Sequence, residues 1–179
     1  MEKEASELVY DYYGLTSSEL QLIEDTHNFT LPSLQPRISK AYPKLWEPPS
    51  LKELHGYAYW LREALFQNYS PPVELKVTVY QGSGKSPLAV TVVELGKGDG
   101  CFVDTADLCL QEKLLELESR WPSEFATGIH SLVQMVFAEQ TRLILIKPYR
   151  VRYWMPSAAI CDADRILEDL RLHHTRASR

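Results

Sequence analysis

Two short runs carry residue types that could do chemistry. Gly82-Ser83-Gly84-Lys85-Ser86 has the glycines, lysine and hydroxyls that cradle phosphates, and Lys147-Pro148-Tyr149-Arg150-Val151-Arg152-Tyr153-Trp154 interleaves cations with aromatics. The first falls short of a nucleotide loop, which needs G-x-x-x-x-G-K-[ST] between a strand and a helix so that backbone N–H groups converge on the anion. The place of its first glycine is taken by Val79, and Pro87 followed by the β-rich run Leu88–Leu95 replaces the helix. The local pattern is strand, turn, strand, with Gly82 and Gly84 available for positive φ and Lys85 at the turn. The second run has the chemistry of a nucleic-acid surface: arginine forks onto phosphate and aromatic rings stack on exposed bases. Its bland alternative is a strand whose aromatics pack against the last helix while Arg150 and Arg152 point to water.

Other reactive residues are dispersed. His27, His55, His130, His173 and His174 lack H-x-x-x-H spacing, and Cys101, Cys109 and Cys161 are odd in number with no C-x-x-C pair, so neither a metal site nor a disulfide framework is indicated. No G-x-S-x-G elbow is present. Asp162 and Asp164 have the look of paired carboxylates, but acids near a helix start serve the helix dipole, and that is the simpler reading. No cofactor is expected.

Several elements must position these residues. Ala5, Leu8, Val9 and Tyr12 form a helical stripe ending at Gly14, and Thr16-Ser17-Ser18-Glu19 is a capping box flanked by Leu15 and Leu20, with Ile23 on the next turn. Residues 1–30 thus read as a short helical hairpin, a docking appendage whose apolar side is Leu8, Val9, Tyr12, Leu15, Leu20 and Ile23. Prolines 32, 36, 43, 48 and 49 mark 31–49 as a linker that wraps or extends. Residues 50–179 read as an α+β domain. Ser50 caps a helix with Leu51, Leu54, Ala58, Leu61 and Leu65 on one face. Val73–Val79, Leu88–Leu95 and Cys101–Val103 make a three-strand antiparallel meander, with Gly96 to Gly100 as its second turn. A helix capped by Asp104 or Thr105 carries Leu110, Leu114, Leu117 and Trp121. A hairpin joins Leu132–Phe137 to the doubly apolar, hence central, strand Arg142–Pro148. A last helix starting at Pro156-Ser157 carries Ile160, Ala163, Leu167 and Leu170. Two to three helices should cover this sheet.

Composition narrows the class. The chain has 179 residues, 45% of them hydrophobic, which is enough for one ordinary core. No apolar stretch approaches the roughly twenty residues of a membrane span, and Met1-Glu2-Lys3-Glu4 is not followed by the apolar run of a signal peptide, so a cytoplasmic protein is expected. The net charge of −5 is unevenly spread: residues 1–30 hold seven acids and one base, residues 142–179 eight bases and four acids. That layout suits docking at one end and anion contact at the other.

Two stretches carry a family resemblance. Leu8-Val9-Tyr10-Asp11-Tyr12-Tyr13-Gly14-Leu15-Thr16-Ser17-Ser18-Glu19 resembles an L-V-Y-x-x-Y-G-L-T-x-x-E segment of bacterial N(6)-adenine DNA methyltransferases of restriction–modification systems, found after their target-recognition region. Lys147-Pro148 through Trp154, with Ser157-Ala158-Ala159 and Asp162-Ala163-Asp164, is similar to an ending of some of those enzymes. The family's catalytic parts, a glycine-rich S-adenosylmethionine loop and an Asn/Asp-Pro-Pro-Tyr/Phe motif that holds the flipped adenine, have no counterpart. Asn68-Tyr69-Ser70-Pro71-Pro72 has the letters in the wrong order. The resemblance therefore implies a non-catalytic accessory subunit or detached C-terminal module, not itself an enzyme. It would dock on a DNA methyltransferase subunit and help to hold double-stranded DNA within the complex through Lys147, Arg150, Arg152, Tyr153 and Trp154. A protein-interaction module with no nucleic-acid contact is the alternative, and an enzyme with a distributed site is a third.

Overall fold

Thr16 opens its helix as the spacing predicts. Glu19 N–H donates to Thr16 Oγ1 at 3.3 Å while Thr16 N–H donates to Glu19 Oε2 at 2.8 Å, so the cap and the third helical residue satisfy each other's orphan donors. The computed structural model describes residues 9–34, 41–67, 73–82, 86–122, 135–138 and 141–177, with side chains for all of these but 41–43, 135–138 and 169–177. The chain divides into two compact units, Met1–Leu45 and Trp46–Arg179.

In the first unit, residues 9–13 are helical and end at Gly14, whose φ of +62° is left-handed. Gly14 N–H donates to Asp11 O and Leu15 N–H to Tyr10 O, both at 3.2 Å, the paired bonds of a Schellman stop. Helix α1, Ser17–Asp25, runs into a π-turn, Thr26–Thr30, and then into α2, Leu31–Ser33. A further short helix, α3, spans Ala41–Trp46. The proline-rich segment is therefore helical in part. Pro32 lies directly after the π-turn, where the helical ladder is already interrupted, and Pro43 lies within Ala41–Trp46. Leu8 lies outside the described residues.

The second unit is α+β, with a five-stranded mixed sheet of order β3-β1-β2-β5-β4. Its strands are β1 Leu75–Tyr80, β2 Leu88–Leu95, β3 Gly100–Asp104, β4 Met135–Ala138 and β5 Arg142–Pro148. Its helices are α4 Leu51–Phe66, α5 Asp107–Arg120 and α6 Pro156–Ala177. The β1–β2 and β4–β5 pairs are antiparallel, as expected. The meander is not formed: β3 lies on the far side of β1 and parallel to it, Val77 opposite Cys101. β2 is buried along most of its length on both faces and must be central, and β5 takes the edge that a returning β3 would have used. The short, partly exposed β3 suits an outer position. Gly96, Gly98 and Gly100, at φ of +70°, +102° and +141°, let the chain pass beneath the start of β1, where Gly96 N–H donates to Glu74 O at 2.9 Å.

The sheet is covered on both faces. On one, Leu54, Tyr57, Ala58, Leu61 and Leu65 of α4 and Ala159, Ala163 and Ile166 of α6 pack on Leu75, Val77 and Val79, Ala89 and Val93, and Leu143 and Leu145. On the other, Leu110 and Leu117 of α5, with Leu114 and Trp121 beside them, cover Val90, Val92, Ile144 and Ile146. All four expected apolar positions of α5 thus face the sheet. That helix starts later than expected, after Ala106, because Asp104 instead accepts from Ala106 N–H at 2.9 Å and holds the turn before it. α4 starts at Ser50 with a second capping box, Ser50 and Glu53, and its Leu51 is exposed.

Candidate functional site

Residues 147–154 do not form one surface. β5 alternates, so Leu143, Leu145 and Lys147 face α4 and α6. Lys147 is 2% exposed, and its Nζ lies 2.5 Å from Asp162 Oδ2, which also accepts from Tyr57 Oη at 2.6 Å. The same Nζ sits 4.4 Å from the Tyr57 ring centroid and 5.2 Å from that of Trp154, and the two rings meet edge-on at 4.9 Å. Burial pulls the Lys147 pKa down, opposed by the Asp162 charge, and pushes that of Tyr57 well up. Lys147 is therefore a core cation with its own counter-ion. Trp154 is fully buried and spends its indole N–H on Pro148 O at 2.9 Å. Neither reaches a phosphate or a base, which corrects the expected DNA-binding set.

The expected continuous strand is also corrected. Val151–Tyr153 is a 3₁₀ turn, tied by Val151 N–H to Glu47 O at 2.9 Å and by Tyr153 N–H to Arg150 O at 3.0 Å. Tyr149 is buried before it, donating to Gln81 Oε1 with Pro49 O at 3.2 Å. With Tyr149, Val151 and Trp154 turned inward, Arg150 and Arg152 are exposed and Tyr153 is half-buried. The Arg152 guanidinium carbon lies 4.9 Å from the ring centroids of both Trp46 and Tyr153.

Asp162 is not a helix-dipole acid. α6 begins at Pro156 with no acid in its first turn; Asp162 belongs to the second turn and is buried, while Asp164 is exposed. Its role was legible only weakly, as a lysine ending an apolar strand and an acid amid small residues of an apolar helix face. Trp46 gave no sequence signal at all, since it meets Arg152 across more than a hundred residues.

At the glycine-rich turn, β1 and β2 are joined as a hairpin with no helix after it. Gly84 and Lys85 lie outside the described residues. Gly82 does not take positive φ; an added Cβ would lie 2.9 Å from Asp107 Oδ1, 3.1 Å from Ser86 Cβ and 3.2 Å from Leu110 Cδ2, so these side chains would have to shift. Cys101 is half-buried, and burial pushes its thiol up to about 11, so thiolate is scarce at neutral pH. Among the described residues no group of three or more His, Cys, Asp or Glu is placed to hold a metal ion, and no helix is long and apolar enough to cross a membrane.

The expected docking residues fall in the first unit. Val9 and Tyr12 are 50% and 85% exposed and Ile23 is 40% exposed, whereas Leu15 and Leu20 are half-buried. Leu22, Ile23, Thr26, His27 and Leu31 line an open apolar groove of about 320 Å³. The π-turn helps to make it, because the bond from Leu31 N–H to Thr26 O adds a residue to the turn and brings Leu31 round to the side of Ile23 and His27. Comparison of the chain with protein-family models, with curated proteins and with solved structures found no match.

Proposed function

We propose that this chain is a non-catalytic accessory module of an adenine-specific DNA methylase or restriction–modification system, docking on the methylase through its N-terminal helices. The observation that carries the docking is the apolar exposure of residues 9–34: Tyr12, Tyr13, Leu31 and Leu34 are each more than half exposed, and Leu31 lines a groove with Ile23. The identity of the partner rests on the resemblance of Leu8–Glu19 and Lys147–Asp164 to that family. DNA contact in the complex falls to Arg150 and Arg152, with Tyr153 at their side.

Burial of Lys147 and Trp154 also favours a second reading, a protein-interaction module that touches no nucleic acid. Nuclease-treated co-purification with a co-expressed adenine-specific DNA methylase from the same genome tests the docking: wild type should retain it and Ile23→Asp/Leu31→Asp should lose it. Equal retention by the variant would remove the groove from the interface. DNA binding by the complex, compared with and without this chain, then separates the two readings.

A further inference from the structure

We infer that Trp46, Arg152 and Tyr153 form a binding site for single-stranded nucleic acid, in which Arg152 takes a backbone phosphate and Trp46 stacks on an unpaired base. The inference rests on the nucleic-acid-contact part of the reading above, gives it a site, and departs from it in taking a single strand in place of a duplex.

The turn carrying Arg152 is pinned from both sides, by Val151 N–H on Glu47 O and by the buried Val151 and Trp154 side chains. Its guanidinium rests on two rings, at 4.9 Å from each centroid. A guanidinium that meets rings through its faces keeps its in-plane N–H edge, the part that forks onto phosphate. Much of the side chain's rotamer freedom is thus already lost before any ligand arrives, so less is lost on binding. Arg62 and Arg142 are committed to carboxylates, at 2.5 Å and 2.7 Å, whereas neither Arg150 nor Arg152 has a carboxylate partner among the described residues. Trp46 is 46% exposed.

A single strand fits this surface better than a duplex. Duplex bases are already stacked on one another, and a three-residue turn presents no helix or ribbon to enter a groove. An acidic peptide would satisfy Arg152 and leave Trp46 without a role.

The full-length chain is titrated with fluorescein-labelled oligothymidylate across a salt series, following anisotropy and tryptophan emission. Wild type should bind with quenching. Arg152→Gln should weaken binding about tenfold and reduce the slope of log K against log salt by about 0.7, the loss of one single-strand phosphate contact. Trp46→Leu should weaken it by a similar factor and abolish most of the quenching, with the slope unchanged. Arg152→Lys should keep the slope and still lose affinity. All three substitutions are on the surface, and unchanged thermal midpoints establish that the variants are folded. The site is overturned if wild type does not bind at low salt, if Arg152→Gln binds equally, if a duplex of the same sequence binds as tightly, or if polyglutamate outcompetes the oligonucleotide. Methylase capture by Arg152→Gln should be intact; loss of capture by Ile23→Asp/Leu31→Asp with oligonucleotide binding preserved would concern docking alone.

Discussion

Removing the Lys147 ammonium would leave the Asp162 carboxylate buried with only the Tyr57 hydroxyl against it. Lys147→Met is therefore expected to destabilise the protein by about 3–5 kcal/mol, and Lys147→Met/Asp162→Leu to recover most of that loss. Urea melts of the two variants give the answer; a double variant no better than the single one would show that the ion pair is not the issue. Glu116 is a second charged anchor. It holds Arg142 at 2.7 Å, Lys113 at 2.9 Å and Arg120 at 3.1 Å, and the hydrogen bond from Arg142 is the largest cause of its pKa falling from 4.5 to about 2. Since the folded value lies below the unfolded one, its stabilisation is complete above about 4.5 and is lost as pH falls toward 2. Because Glu116 is partly solvated, Glu116→Gln should cost only about 1 kcal/mol at pH 7. The difference from wild type should shrink in melts taken at pH 3.

The loop between β2 and β3 carries the chain across to the far side of β1. Gly98 has a φ of +102°, a backbone that a side chain strains. Gly98→Ala should destabilise by about 1–3 kcal/mol, measured by chemical denaturation; a neutral result would mean that the loop has another path under β1. The capping box of α4 can be weighed the same way: Ser50→Ala removes the acceptor that Glu53 N–H uses at 3.3 Å and should cost about 1 kcal/mol. Caps and helix stripes were legible in the sequence because their partners are three or four residues apart. Thr16 with Glu19, Gly14 as a helix stop and the Leu110–Trp121 stripe all required only local spacing. The placement of β3 was not legible, because it depends on which neighbour occupies the far edge of β2, and β5 supplies that neighbour from some fifty residues downstream.

At the scale of the molecule, both apolar clusters lie wholly within Trp46–Arg179. A fragment of those residues should fold on its own and unfold in a single cooperative step, with a midpoint close to that of the full chain. A fragment with noncooperative melting or bound hydrophobic dye would show that residues before Trp46 complete its core. The expected surface also divides at this scale. Of the residues proposed for docking, Val9, Tyr12 and Ile23 are exposed and Leu15 and Leu20 half-buried, and the basic aromatic run is shared between core and solvent.

Sequence alone determined the secondary structure of most described segments, the α+β class, the centrality of Arg142–Pro148 and the failure of the Gly82–Ser86 run as a nucleotide loop. These follow from periodicity, capping and turn chemistry, all of which act over a few residues. Tertiary structure alone decided that Lys147 is a buried counter-ion to Asp162, that Trp154 is a core residue and that Arg152 rests on Trp46. A cation at the end of a strand carries the same letter whether it faces a helix or water, and only the packing of α4 and α6 against β5 fixes which it meets.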